Sequence, residues 1–150
     1  MRIHAISVSE RKGVRKDNVP TAVLRPEHGI VNDAHAGAWH RQVSLLARES
    51  IEKMIRQGLD VRPGDFAENI TTEGIDLTDL PIGGRLRLGA DVLVEVTQIG
   101  KECHDRCAIY REAGDCVMPR EGIFVKVLTG GSIRIGDAIT RQEDRGADGP

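Results

Sequence analysis

The chain has 150 residues, with 21 lysines and arginines against 23 acidic residues and a formal net charge of −2. That is the length of one ordinary domain with a single core, and so even a charge balance offers no global attraction to nucleic acid or to an anionic membrane. One Trp, one Tyr and two Phe are too few for a stacking platform under single-stranded nucleic acid, and no apolar run approaches the roughly 20 residues that cross a bilayer.

In chain order, RIHAISV (2–8) alternates apolar and polar residues as a strand does, without the charged-then-apolar pattern of a secretory leader. A cytoplasmic protein with reduced thiols is therefore expected. The basic group Arg11, Lys12, Arg15 and Lys16 reads as a solvated loop. TAVLRP (21–26) and QVSLLA (42–47) are further strand candidates. In ARESIEKMIRQGL (47–59), Ile51, Met54 and Ile55 fall on one helical face, and Gly58 followed by Leu59 predicts a Schellman stop. FAENITTEG (66–74) reads as a strand, with Glu68 on a solvent face. Asn69 either shares that face or fixes a neighbouring loop, since a buried amide must find partners. RLRLG (85–89) and DVLVEVTQIG (91–100) pair around Gly89, and a short helix or irregular loop is expected near 104–111. FVKVL (124–128) and SIRIGDAIT (132–140) are expected to form a hairpin through Thr129, Gly130 and Gly131. The polar, glycine-bearing residues 142–150 read as a frayed tail behind a single domain spanning 1–141.

About eight short strands with closely spaced turns, and one or two short helices, predict a mainly β protein built as a closed or nearly closed barrel. Gly64–Asp65, Gly114–Asp115 and Gly136–Asp137 read as turns in which glycine supplies positive φ and aspartate caps its own backbone.

Two groups of residues carry chemistry. All three cysteines, Cys103, Cys107 and Cys116, fall within fourteen residues, with His104 beside the first. An odd count at uneven spacing argues against a disulfide framework. A Cys₃His set can close around zinc, although the spacings here match no strong zinc signature. Alternatively, Lys101, His104 and Arg106 favour the Cys103 thiolate as a nucleophile or metal ligand, whereas Cys107 and Cys116 suit either accessory ligation or simple packing. The second group is GIVNDAHAGAWHRQVS (29–44), where turns of small residues surround Asn32, Asp33, His35, His40 and Arg41 ahead of a strand. Such a loop suits an anion, a phosphate or carboxylate, held by arginine.

NDAHAG (32–37), RQVSLL (41–46), PGDFAEN (63–69), EGIDL (73–77), TQIGKEC (97–103) and VLTGGSIRIGD (127–137), in that order, resemble a MOSC domain, the family named for the C-terminal part of molybdenum-cofactor sulfurase. The resemblance covers nearly the whole chain and is nearest to the small stand-alone prokaryotic members. It implies a strongly bent β-barrel and a functional cysteine at Cys103, which ligates molybdenum or holds a persulfide. His35, Arg41 and Asn69 match positions lining the same cleft, and His104 joins them as a candidate cofactor contact. Cys107 and Cys116 are accessory ligand candidates. The expected cofactor is molybdopterin-bound molybdenum, with zinc the alternative. PLP is not expected, because no lysine sits in a recognisable cofactor motif. The implied function is cofactor binding or sulfur carriage during cofactor assembly, with assembly or sulfur-donor proteins as partners. The alternatives are a molybdenum-dependent reductase of N-hydroxylated compounds and a non-catalytic zinc module.

Overall fold

The computed structural model describes residues 1–11, 14–100 and 121–142. Among them are eleven strands: β1 (Arg2–Val8), β2 (Asp17–Val19), β3 (Thr21–Arg25), β4 (Gly29–Ile30), β5 (Val43–Ala47), β6 (Ile70–Glu73), β7 (Arg85–Leu88), β8 (Val92–Ile99), β9 (Ile123–Thr129), β10 (Gly131–Arg134) and β11 (Ile139–Gln142). One helix, α1 (Arg48–Arg56), and a 3₁₀ turn at Leu77–Asp79 complete the described elements. Eight strands form a mixed sheet in the order β11-β7-β8-β9-β5-β6-β1-β2, and β10-β3-β4 form a second sheet. All the strand pairings among the described residues are antiparallel except β5 with β6. That parallel pair exists because α1 follows β5 directly and supplies the crossover a parallel connection needs.

The period-two pattern does what the sequence requires. Val92, Val94 and Val96 of β8 and Leu86 and Leu88 of β7 point into one core with Ile3, Ile6, Leu45, Ile70, Ile123, Val125 and Val127. A smaller cluster on the opposite face of the sheet joins Leu46, Phe66 and Phe124 to Ile51 and Met54 of α1. Ile55 does not join it: the helix presents that side chain to solvent at 48 % exposure, so the buried stripe is narrower than the spacing implied. The C-terminus of α1 is the predicted Schellman stop, with Gly58 at φ 97°, Gly58 N–H donating to the Ile55 carbonyl and Leu59 N–H to that of Met54.

Three expectations about strands need correction. Residues 66–69 belong to a turn, and β6 begins only at Ile70. The 124–128 and 132–140 segments do not make a hairpin. β9 lies between β8 and β5 while β10 pairs with β3, because the chain swings to the second sheet at Gly130–Gly131. Segment 132–140 is also two strands, β10 and β11, broken at Gly136 (φ 95°) and Asp137, whose carboxylate accepts from Arg134 N–H. The Gly64–Asp65 and Gly136–Asp137 turns behave as read. Gly64 has φ 94°, and Asp65 accepts from the Arg62 N–H. The third pair, Gly114–Asp115, lies outside the described residues.

Among the described residues no continuous ladder closes the large sheet. Its nearest approach to closure is between the start of β1 and the segment ahead of β11. There, Ile3 N–H donates to Asp137 O, Gly136 N–H to Ile3 O, and Ile139 N–H to Met1 O, around an isolated Arg2–Ala138 bridge. The fold is mainly β with one helix and a large mixed sheet, and no sheet among the described residues is closed by hydrogen bonds.

Candidate functional site

One face of the large sheet brings together two of the polar residues that the sequence singles out, Arg41 and Asn69. Gln98 on β8 pairs with Phe124 on β9, and Phe124 falls opposite Ser44 on β5. Ser44 in turn is bonded to Asn69, the residue that leads into β6: its N–H donates to Asn69 Oδ1 over 3.0 Å, and its hydroxyl to the same oxygen over 3.2 Å. Residues opposite one another in a ladder share a face, so Gln98, Phe124, Ser44 and Asn69 form a row across four neighbouring segments.

Arg41 stands at one end of this row, just ahead of β5. Its Nε donates to Gln98 Oε1 over 3.0 Å, and its guanidinium lies 5.2 Å from the centroid of the Phe124 ring, within cation–π range. Gln98 uses its amide nitrogen as well, donating to Gly100 O over 2.8 Å. Thr97 Oγ1 bonds the carbonyl of His40, so the 29–41 loop is fastened to the end of β8 twice. Cys103, His104, Cys107 and Cys116 lie outside the described residues. What is described is the strand end that leads toward them, and Arg41 is tied to it.

Asn69 is completely buried. Beyond its bonds to Ser44, its Nδ2 donates to Ser7 O over 3.1 Å, and the Ser7 N–H donates back to Asn69 O over 2.7 Å. The side chain therefore braces β1 against β5 and fixes the neighbouring loop, the second of the two roles its sequence setting allowed. Glu68 corrects the sequence reading. It is fully buried rather than solvent-facing, because the 62–69 loop folds back and Glu68 Oε2 accepts from Gly64 N–H at 2.8 Å and Thr71 Oγ1 at 2.7 Å. Its Oε1 has no hydrogen-bond partner among the described residues. Burial pushes the carboxyl above its ordinary pKa, outweighing those two bonds.

The opposite end of the same loop is organised by Asp33. Its Oδ1 accepts from Lys16 Nζ at 2.8 Å and from Ser9 N–H at 3.1 Å, while Oδ2 accepts from the His35 N–H at 3.0 Å. Lys16 Nζ also bonds Ser9 Oγ. Both charged side chains are wholly inaccessible. Burial alone would raise the Asp33 pKa, but the Lys16 bond and charge prevail and hold it below the ordinary carboxylate value. Lys16 is thus not part of a solvated basic loop but a buried counter-ion. His35 is buried as well, its Nδ1 3.9 Å from Asp33 Oδ2, and its carbonyl accepts from the Trp39 indole at 2.7 Å. The structure sets His35 and Arg41 at two ends of one loop, each anchored by different groups.

Lys16, Gln98 and Phe124 are therefore residues of the candidate site that sequence reasoning missed, whereas Asp33, singled out with its loop, gains its anchoring role only from Lys16. For Gln98 a signal existed: it sits where strict alternation breaks, at the β8 register shift between Val96 and Gln98. For Lys16 and Asp33, seventeen residues apart, no local signal exists. Among the described residues no group of three His, Cys, Asp or Glu side chains could hold a metal ion. No helix among them is long and apolar enough to cross a membrane.

Comparison with known proteins agrees with this architecture. YuaD from Bacillus subtilis superposes with a TM-score of 0.76 at 17 % identity, covering 92 % of this chain and 93 % of that one. YiiM from Geobacillus stearothermophilus gives 0.70 at 20 % identity, over 95 % of this chain and 75 % of that one. YiiM from Escherichia coli gives 0.68 at 18 % identity, over 95 % and 70 %. At such identities the likeness is one of fold. No curated protein sequence matches the chain significantly. The sequence profile of the MOSC domain, however, matches residues 32–140, from the Asp33 anchor through the Arg41–Gln98 contact to β11, and the chain belongs to the MOSC domain family.

Proposed function

We propose that the protein handles the molybdenum cofactor, holding it or carrying sulfur for its assembly, with Cys103 as the working thiol. The observation that carries this reading is the link from Arg41 through Gln98 to Gly100. It ties a guanidinium suited to a phosphate to the strand end three residues ahead of the only cysteine-bearing stretch in the chain.

The residues fit the two ends of such a group. Arg41 offers a cation for the phosphate of the pterin, and no carboxylate among the described residues already neutralises it. Cys103 offers a soft thiolate suited to molybdenum. Bound there, the cofactor would supply a metal centre for oxygen- or sulfur-atom transfer. The sequence-adjacent Lys101, His104 and Arg106 favour the thiolate that either role demands. As a sulfur carrier, Cys103 would attack the outer sulfur of a donor protein's persulfide. The donor S–S bond breaks, the donor leaves as a thiolate, and a Cys103 persulfide forms without any external oxidant. Cofactor-assembly and sulfur-donor proteins are the partners this reading requires.

The test is elemental analysis with intact-mass spectrometry on anaerobically purified protein, wild type against Cys103→Ser. Molybdenum, or one added sulfur, present in the wild type and lost in the variant is the expected result. Stoichiometric zinc, or neither metal nor sulfur together with slow labelling of Cys103, would overturn it.

A further inference from the structure

Arg41 has an unusual set of neighbours. It is partly buried and an aromatic ring lies beside its guanidinium; among the described residues its hydrogen bond goes to a neutral amide and no carboxylate pairs with it. Gln98 is equally committed, accepting from Arg41 with Oε1 and donating to Gly100 O with Nε2. That second bond settles which end of the amide faces the arginine, because only a nitrogen can donate to a backbone carbonyl. Gln98 cannot turn over without losing both contacts.

We propose that Gln98 is the positioning residue of an oxyanion site whose ligand-touching group is Arg41. A guanidinium can receive an oxyanion side-on, through Nε and one terminal nitrogen, or end-on, through both terminal nitrogens. Gln98 occupies Nε, so the side-on mode is closed and the two terminal amino groups remain for the anion. A neutral acceptor matters here. It orients the arginine without cancelling its charge, which a glutamate at position 98 would do. Phe124, held in the buried cluster beneath, restricts the guanidinium plane further. The ligand class is a compact oxyanion, a phosphate monoester or a carboxylate. Its identity as the phosphate of a cofactor rests on the reading above, whereas the site stands on the geometry alone.

The experiment follows the Arg41 side-chain nitrogens by NMR while inorganic phosphate, and separately acetate, is titrated in at constant ionic strength. In the wild type, saturable shifts at the Arg41 terminal nitrogens are expected, with Nε–H still bonded and protected from exchange. Gln98→Ala should expose Nε–H to exchange and weaken phosphate about tenfold, the scale of one lost charge-assisted contact. Gln98→Glu should keep Nε–H protected and abolish the response. Phosphate alone saturating points to a phosphate monoester, and acetate matching it points to a carboxylate. Equal affinity in Gln98→Ala, or shifts spread over the surface arginines with none selective for Arg41, would overturn the proposal. Melting curves of both variants separate misfolding from loss of the site. Because Cys103 takes no part in this titration, a failed sulfur or metal analysis and a failed anion site are distinguishable outcomes.

Discussion

Replacing Lys16 by methionine would remove the counter-ion of a carboxylate from which water is excluded. Both side chains of the Lys16–Asp33 pair are inaccessible and 2.8 Å apart, and once the lysine is gone the hydrogen bonds left to Asp33 among the described residues come from the Ser9 and His35 backbone N–H groups. Breaking one partner of a buried pair costs about 3–5 kcal/mol, most of it the penalty of the stranded charge. For a chain of this size that corresponds to a fall in Tm of roughly 6–20 °C. The pH dependence makes the test sharper. In the wild type the Asp33 pKa is depressed, so its contribution is present above the unfolded value of 3.8 and is lost as pH falls through the lower folded value. Without Lys16, burial is opposed only by the two backbone N–H bonds, so the Asp33 pKa rises relative to the wild type and the variant loses most stability at high pH, where the carboxylate must be charged. The gap between wild type and variant should therefore be several kcal/mol at pH 7 and shrink markedly near pH 3.5. Urea denaturation at both pH values measures it. An equal loss at the two, or a loss below about 1 kcal/mol at pH 7, would refute the account of a desolvated, charge-dependent anchor. Lys16→Met with Asp33→Asn should recover part of the loss at pH 7.

Two other perturbations probe the same face. Burial raises the folded-state pKa of Glu68, so its own contribution to stability is fully present below the ordinary carboxyl value of 4.5 and is lost as pH rises through the raised value. Glu68→Gln should flatten that decline in Tm measured between pH 4 and pH 9, and an unchanged slope would show that the carboxyl is not the source. Asn69→Ala strands the Ser7 carbonyl and removes the acceptor of Ser44 N–H. A loss of about 2–4 kcal/mol in chemical denaturation is expected, and a change below about 0.5 kcal/mol would remove Asn69 from its bracing role.

Periodicity and turn chemistry are local properties, and they were legible from the chain itself. The β1, β7 and β8 strands, the helix with its Schellman end, and the Gly64 and Gly136 turns follow from residues within a few positions of one another. The ordered motifs likewise sufficed to mark the family and to pick out Arg41 and Asn69. What they could not supply is anything that depends on desolvation or on pairing across the sheet. Lys16 looks like a surface charge until Asp33 arrives beside it. Glu68 looks solvent-facing until the 62–69 loop folds over it. The segment around 132–140 looks like half of a hairpin until β3 claims β10. Gln98 becomes meaningful only when β8, β9 and β5 lie side by side and bring Arg41 and Phe124 to it. Short-range sterics and amphipathic patterning are written residue by residue, whereas the burial of a charge and the partner that compensates it are properties of the assembled interior.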